Sequence, residues 1–283
     1  MGISYVNGRY LYRSIASISI EDRGFNFSDG IYEVMAFSKN KIFNYEKHIK
    51  RLKRSLKEIK IPLPFYNLNT LKIIIKKLIS FNSYNCGIIY LQITRGSSIR
   101  NHLFPENINL NIVINIYPQK DVLNIKKGVD VITAPDLRWK RCDIKSISLL
   151  ANVLGKQKAF DLGVYELWLT YNKDIISEGT TSNCFIVKNN NTILTHPKNN
   201  KILGGVTRDS VIEIARKNKI NVFEKEFTVN QVYKCKEAFL TSTTVGILPV
   251  KKIDNYLINK SLIGPITVKL MKLYESFLKQ QTI

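Results

Sequence analysis

The sequence lacks a long uninterrupted hydrophobic run. Its most apolar stretch, residues 71–81, is broken by Lys72, Lys76 and Lys77. A helix that spans a bilayer needs about 20 mostly apolar residues, so we expect no membrane partner. Residues 1–6 also lack the apolar segment and the cleavage site of a signal peptide. From these features we expect a cytoplasmic protein.

Cysteine and histidine are scarce, with four and three residues respectively in a chain of 283. No two cysteines form a C-x-x-C pair, and no histidine lies at metal-ligand spacing from a cysteine. This pattern argues against a structural zinc site, and we predict no metal ligand. A disulfide framework is not expected in a chain of this size, which fits a reducing compartment.

Acidic residues are few: 22 Asp and Glu stand against 43 Lys and Arg, which gives a formal net charge of +21. Such a charge can indicate binding to nucleic acid or to an anionic surface. The lysines are spread along the chain, however, and the densest stretch, residues 47–60, places Ile49, Leu52 and Leu56 at helical spacing. We interpret its lysines as a solvated helix face and expect no nucleic-acid partner. A basic nucleic-acid-binding module remains the alternative from another functional class.

The order of hydrophobic runs and turn residues predicts two domains. The polar residues 119–127 are interpreted as a linker between an N-terminal domain, residues 1–118, and a C-terminal domain, residues 128–283. The predicted N-terminal elements are strands at 31–37, 41–44, 87–95 and 110–117 and helices at 45–59 and 69–81. The predicted C-terminal elements are strands at 129–134, 165–171, 183–188, 192–195 and 237–241 and helices at 148–162, from Thr207 onward, at 229–234 and at 264–280. Because strands and helices mix without strict βαβ alternation, we predict the α+β class.

Lys145 is the candidate nucleophile. It lies between Ile144 and Ile147, just before a predicted apolar helix. Partial desolvation among isoleucines lowers the pKa of a lysine, which an amine needs in order to form a Schiff base. A surface lysine whose stem packs on apolar residues explains the local sequence as well.

Three further segments offer groups that a phosphorylated cofactor requires. Gly204 and Gly205 lead into a helix whose N-terminal N–H groups and dipole suit a phosphate. Residues 241–244 supply four hydroxyls at a strand end, and Glu178 offers a carboxylate in a polar turn. A capped helix and ordinary turns are the alternative interpretations of each segment alone. A lysine, a carboxylate for a pyridine nitrogen and phosphate ligands are together what pyridoxal 5′-phosphate (PLP) requires.

The order of these segments resembles the fold-type IV PLP enzymes, a family that includes D-amino acid and branched-chain aminotransferases and aminodeoxychorismate lyase. The resemblance covers nearly the whole chain and is carried by residues 21–33, 48–52, 142–146, 178–183, 205–209 and 241–244. It implies two α+β domains with the cofactor in the interdomain cleft, and a homodimer.

The resemblance also implies a role for each matching residue. Lys145 would form the imine with PLP and carry a proton between the substrate Cα and the cofactor. Glu178 would pair with the pyridine nitrogen, and Leu203 would pack against the ring. The phosphate would be bound by Arg51, Val206, Thr207, Ser242 and Thr243.

Residues 94–106 are similar to the D-amino acid aminotransferase subgroup. This similarity implies that Tyr32, Arg100 and His102 bind the substrate α-carboxylate, to which a guanidinium can donate two parallel hydrogen bonds. D-Alanine as donor and 2-oxoglutarate as acceptor, giving D-glutamate by a ping-pong reaction, follow from the resemblance. A branched-chain aminotransferase and a 4-amino-4-deoxychorismate lyase remain alternatives, against which Arg100 and His102 argue. Ser28 replaces a usual glycine, which leaves the preferred substrate side chain open.

Overall fold

The chain is divided into two units near residue 120. Unit 1 contains Met1–Lys120 and Ile144–Ser148, and unit 2 contains Asp121–Asp143 and Leu149–Gln281. The computed structural model describes residues 2–64, 67–107, 109–119, 127–261 and 263–282. The predicted linker, 119–127, therefore lies mostly outside the described residues, because 120–126 are not among them.

Unit 1 is built on a six-stranded antiparallel sheet with the strand order β2-β1-β6-β5-β3-β4. Along β3, residues alternate between the buried core face and a half-buried face, as expected for a sheet with one covered side. The elements are β1 (Ile3–Val6), β2 (Arg9–Tyr12), α1 (Arg23–Phe27), β3 (Gly30–Ser38), β4 (Lys41–Ile42), α2 (Tyr45–Glu58), α3 (Leu68–Asn82), β5 (Cys86–Thr94) and β6 (Asn111–Pro118).

The core of unit 1 lies between this sheet and the apolar stripes of its helices. In α2, Ile49, Leu52 and Leu56 are buried at helical spacing and pack in one cluster with Met35 and Phe37 of β3. The helices predicted at 45–59 and 69–81 are confirmed to within one residue at each end. The short elements β1, β2 and α1 were not predicted.

Unit 2 is built on a mixed sheet with the order β12-β11-β10-β13-β14-β7-β8-β9, and β15 pairs with β14. The pairs β14–β7, β7–β8 and β11–β12 are parallel, and the other pairs are antiparallel. The elements are β7 (Val129–Pro135), α4 (Leu150–Asp161), β8 (Glu166–Tyr171), β9 (Ile175–Gly179), β10 (Asn183–Val187), β11 (Ile193–Thr195), α5 (Val206–Lys217), β12 (Val222–Glu224), α6 (Val229–Tyr233), β13 (Glu237–Ser242), β14 (Gly246–Ile253), β15 (Tyr256–Leu257) and α7 (Pro265–Thr282).

Four strands of unit 2, β9, β12, β14 and β15, were not predicted, and for β9 and β14 the reason is identifiable. The placement of Glu178 in a turn was wrong, because β9 runs from Ile175 to Gly179 and includes it. Its Ser and Glu residues hide the apolar pattern of a strand. In β14, Pro249 is typical of a strand break, since proline cannot donate a ladder hydrogen bond.

Two features of the described residues concern membrane and metal binding. No helix among them is both long and apolar enough to cross a bilayer. No group of three or more His, Cys, Asp or Glu side chains in the same part of the chain could hold a metal ion.

Candidate active site

Lys145 is held against the edge of β3 within unit 1. The Tyr32 amide donates to the Lys145 carbonyl (3.0 Å), and the Ile147 amide donates to the Gly30 carbonyl (3.1 Å). The Lys145 amide donates to Ser55 Oγ of α2 (3.2 Å). The segment is not helical, and α4 begins at Leu150 rather than at the predicted residue 148.

Lys145 is 9% exposed, and its amine lies over an aromatic ring. Lys145 Nζ is 4.0 Å from the centroid of the Tyr32 ring, which is a cation–π distance. The Tyr32 ring stacks on Tyr90 with 5.8 Å between centroids, and Tyr90 OH donates to Gln92 Oε1 (2.7 Å). The structure thus brings the predicted nucleophile and one predicted substrate ligand together.

Arg51 lies in the same unit, in a buried network that the sequence did not reveal. Its Nε and Nη2 donate to Glu33 Oε1 (2.7 Å) and Oε2 (2.8 Å). His48 Nδ1 lies 2.9 Å from Glu33 Oε2 and, facing a carboxylate, must donate to it. Burial acts to raise the pKa of Glu33, but the charge of Arg51 and bonds from Arg51 and His48 hold it well below its usual range.

Arg100 and His102 both contact one aromatic ring. The Arg100 guanidinium carbon is 4.9 Å from the centroid of the Phe27 ring, and the His102 and Phe27 centroids are 5.2 Å apart. Both polar side chains are exposed to solvent. Arg23 anchors their loop by donating from Nη1 to the carbonyl of Asn101 (2.6 Å). The two predicted carboxylate ligands therefore share one anchored loop.

Arg95 is a buried arginine that contacts the loop of Arg100 and His102 through Phe104 and has a structural role. It is 1% exposed, and its Nε and Nη2 donate to Asp29 Oδ2 (2.7 Å) and Oδ1 (2.9 Å). The carbonyls of Ile59 and Lys60 accept its remaining bonds. Its guanidinium carbon lies 3.6 Å from the centroid of the Phe104 ring.

In unit 2, Glu178 lies at an irregularity in the pairing of β8 with β9. Trp168 opposes Gly179 and Thr170 opposes Ile176, so Ser177 and Glu178 together face the single residue between Trp168 and Thr170. Such a bulge re-aims side chains and is common beside active sites. The sequence pattern could not reveal it, because a bulge depends on the partner strand.

The Glu178 carboxylate accepts three hydrogen bonds. Oε1 accepts from Arg138 Nη1 (2.5 Å) and from the Leu203 amide (3.0 Å), and Oε2 accepts from Asn183 Nδ2 (2.8 Å). Asn183 Nδ2 also donates to the Leu203 carbonyl (2.9 Å). The structure therefore links Leu203 to Glu178 through its backbone. The sequence did not single out Arg138, and the only signal for it is its position just after the predicted strand at 129–134.

Burial raises the pKa of Glu178 to about 7, against the opposing charge and hydrogen bonds of Arg138 and the hydrogen bond from the Leu203 amide. Asp136 adds its negative charge and acts in the same direction as burial. A carboxyl group with such a pKa can change its charge near neutral pH, which is a common property of functional residues.

The first turn of α5 begins without a side-chain cap. Its N-cap, Gly205, has an extended backbone and no side chain that could accept from the N–H groups of the first turn, and such N–H groups suit an anion. A Cβ on Gly205 would lie 2.1 Å from Asn183 Oδ1, so only glycine fits there. Val206 and Thr207 are both buried.

The hydroxyl run lies at the end of β13, in the same unit. Ser242 Oγ lies 3.1 Å from Thr244 Oγ1, and Thr243 is half-buried. Thr241 is buried, and its Oγ1 lacks a hydrogen-bond partner among the described residues. In unit 2, the unpaired hydroxyl, the helix amides and the carboxylate have the chemistry that the phosphate and the pyridine nitrogen of PLP require. In unit 1, the amine of Lys145 has the chemistry that its aldehyde requires.

Comparison with known proteins assigns the chain to a family. Residues 30–253 match the family described as amino-transferase class IV. A relative from Bacillus licheniformis, described as D-alanine aminotransferase, is 38% identical over 277 residues, which cover 98% of this chain and 97% of that protein. A relative from Staphylococcus epidermidis with the same description is 35% identical, with 99% of each chain covered. The chain belongs to the class IV aminotransferase family, and the predicted PLP-dependent aminotransferase class is confirmed.

Solved structures confirm the fold. The branched-chain aminotransferase of the archaeon Thermoproteus uzoniensis, solved with norvaline, has a TM-score of 0.89 at 24% identity, covering 99% of this chain and 95% of that chain. The Escherichia coli branched-chain enzyme has a TM-score of 0.89 at 21% identity, with 98% and 94% covered. The predicted α+β class and fold type are therefore correct, and at this identity the likeness concerns the fold alone.

Proposed function

We propose that the chain transfers the amino group of a D-amino acid, D-alanine in the first place, to 2-oxoglutarate, giving D-glutamate. The observation that carries the proposal is the identity of 35–38% over nearly the full length to relatives described as D-alanine aminotransferases. Arg100 and His102, which both contact Phe27, support it.

Bound PLP supplies an electron sink that stabilises negative charge on the substrate Cα. Lys145 Nζ would hold the cofactor covalently and, once released, would carry the proton from the substrate Cα to C4′ of the cofactor. Its position over the Tyr32 ring limits the directions in which the amine can point. Glu178 Oε2 would accept a hydrogen bond from the protonated pyridine nitrogen, and Leu203 would pack against the ring.

In this proposal the phosphate accepts hydrogen bonds from the amides of Val206 and Thr207 and from the hydroxyls of Ser242 and Thr243. Arg51, whose orientation Glu33 determines, supplies the positive charge. The proposed roles thus assign the phosphate arginine and the substrate carboxylate to residues 1–118 and most PLP contacts to residues 128–283.

The substrate carboxylate binds to Arg100, His102 and Tyr32. Arg100 is exposed while it contacts Phe27, so its fork remains accessible to a ligand carboxylate. Donor and acceptor present the same carboxylate, so one set of residues serves both half-reactions. A branched-chain enzyme and a 4-amino-4-deoxychorismate lyase are the alternatives within this family.

A donor screen tests this proposal. Release of 2-oxo acid is measured for D- and L-alanine and for D- and L-leucine, each with 2-oxoglutarate. We expect turnover with D-alanine and D-glutamate as the product. Preference for L-leucine would indicate the branched-chain activity. Pyruvate release from aminodeoxychorismate without an oxo acid would indicate the lyase, and a purified chain that binds no PLP would favour a nucleic-acid-binding module.

We also propose a homodimer in the cytoplasm. Three apolar side chains on one face of α4, Leu150, Val153 and Leu154, are 59–72% exposed, which is typical of a surface covered by a partner. The four cysteines are free, which fits a reducing compartment. Light scattering should give twice the chain mass, and Leu154→Lys should shift it towards the monomer, whereas Lys217→Glu on α5 should not.

A further inference from the structure

Arg138 forms a buried ion pair with Glu178, and the function proposed above gives this arginine no task. The side chains are 7% and 5% exposed, and the pair is closed by the bond from Nη1 to Oε1. Removing two charges from water costs several kcal/mol each, which the attraction of the pair repays only with good geometry.

We propose that Arg138 is a positioning residue that keeps Glu178 ionised and directs its Oε2 to the cofactor's ring nitrogen. The inference rests on the proposed function, because it concerns the same PLP contact. Arg138 would thereby determine where the proton between Glu178 and the pyridine nitrogen lies.

The hydrogen bonds of the carboxylate distinguish its two oxygens. A carboxylate oxygen has two lone pairs. Oε1 already accepts from Arg138 Nη1 and from the Leu203 amide, so both of its positions are used. Among the described residues, Oε2 accepts only from Asn183 Nδ2, which leaves one acceptor position. A ring N–H donor is therefore expected at Oε2.

The charges around Glu178 explain why an arginine is needed. Besides Arg138, Glu178 interacts electrostatically with Asp136, Cys142 and Cys184. The negative charge of Asp136 favours the protonated form of Glu178. Burial raises the pKa of Glu178 to about 7, and Arg138 is the cation that opposes this rise. One proton is shared between the carboxylate and the pyridine nitrogen. Removal of Arg138 therefore moves that proton from the nitrogen towards the carboxylate.

The guanidinium of Arg138 is held in one orientation by further hydrogen bonds. Arg138 Nε donates to Asp136 Oδ1 (2.9 Å) and Nη2 donates to Asp136 Oδ2 (2.7 Å). Ser177 Oγ donates to Asp136 Oδ2 (2.8 Å), and the Lys201 carbonyl accepts from Nη2 (3.1 Å). A lysine can supply the charge but not this planar fork.

Nitrogen-15 NMR of PLP labelled at its ring nitrogen tests the inference in the holoenzyme. Wild type should show the chemical shift of a protonated nitrogen at pH 7–8. In Arg138→Met the signal should move towards the shift of neutral pyridine, and in Arg138→Lys it should lie between the two. Arg216→Met, which removes a surface arginine of α5, should match wild type.

Kinetics give a second readout. Arg138→Met should lower kcat roughly a hundredfold, as loss of a preorganised electrostatic group does, with a much smaller change in KM for D-alanine. Arg138→Lys keeps the positive charge, so it is the variant to use if Arg138→Met does not fold. A wild-type nitrogen shift in the folded variants would overturn the inference. A wild-type chain that binds no PLP would instead reject the proposed function.

Discussion

Lys145 and Tyr32 are joined twice: the Tyr32 amide donates to the Lys145 carbonyl (3.0 Å), and Lys145 Nζ lies 4.0 Å from the Tyr32 ring centroid. The backbone bond positions the main chain of Lys145, and the contact with the Tyr32 ring positions its amine. The segment 144–148 belongs to unit 1, although the chain on both sides of it belongs to unit 2. The placement of the amine therefore depends on unit 1 rather than on the neighbouring helix α4.

The first prediction concerns the amine. Lys145→Ala should abolish the visible absorption of covalently held PLP and nearly all transamination, because the proposed nucleophile is removed. The melting temperature should change little, since the backbone bonds of residue 145 do not need its side chain. Lys140→Ala serves as the control. Wild-type turnover by Lys145→Ala would exclude this assignment.

The second prediction concerns Glu178 in catalysis. Glu178→Gln removes the negative charge at the pyridine nitrogen, so kcat with D-alanine and 2-oxoglutarate should fall by roughly a hundredfold or more. PLP should still bind, through Lys145 and the phosphate ligands. An unchanged kcat would mean that another group pairs with the ring nitrogen.

The third prediction concerns the pH dependence of stability. The pKa of Glu178 is raised to about 7 in the folded chain, against about 4.3 when unfolded. The folded state holds a proton that the unfolded state has lost, so the free energy of unfolding falls as the pH rises through this window, by about 3 kcal/mol. Urea denaturation of the PLP-free protein at pH 5 and pH 8 measures it.

The comparison variant for this measurement is Glu178→Gln, which lacks the titrating group. Its free energy of unfolding should fall less than that of wild type between the two pH values. Glu275→Gln, at an exposed position of α7, should follow wild type. Parallel curves for wild type and Glu178→Gln would show that Glu178 ionises normally.

The fourth prediction concerns the network that orients Arg51. Glu33→Gln removes the carboxylate that accepts two bonds from Arg51 and one from His48. Breaking a buried pair by removing one partner typically costs about 3–5 kcal/mol, so the melting temperature should drop. The dissociation constant of PLP should rise roughly tenfold, which corresponds to about 1.4 kcal/mol.

The control for Glu33→Gln is Glu46→Gln, an exposed acidic residue in the first turn of α2. Inorganic phosphate should compete less well with PLP in Glu33→Gln than in wild type. If the affinity for PLP stayed unchanged while stability fell, Glu33 would have only a structural role.

The fifth prediction concerns the substrate carboxylate. Arg100→Ala should reduce kcat/KM roughly tenfold to hundredfold, because a charge-assisted bond is worth about 1.5–3 kcal/mol. The kcat/KM of both half-reactions should fall, since donor and acceptor present the same carboxylate. Arg100→Lys should recover part of the loss. The absorption of bound PLP should stay normal, and indifference to Arg100→Ala would remove the carboxylate assignment.

Much of the fold could be predicted from local sequence. In α2, the apolar residues Ile49, Leu52 and Leu56 recur with the period of about 3.6 residues that predicts a helix. In β3, buried and half-buried residues alternate with the period of two that predicts a strand. Short strands such as β1 and β2 carry too few residues for a period. β9 carries the polar side chains of Ser177 and Glu178, so its sequence pattern conflicts with its strand structure.

The linear sequence was enough to predict the family, the order of its motifs and the residue types that PLP chemistry needs, because these are properties of the chain in one dimension. Tertiary structure decided their orientation. Arg138 is hydrogen-bonded to Glu178, which lies 40 residues away in the chain, and Arg51 is hydrogen-bonded to Glu33, which lies 18 residues away. The bulge at Ser177 and Glu178 exists only against the paired strand β8. Such contacts depend on strand register and helix packing, which no local pattern encodes.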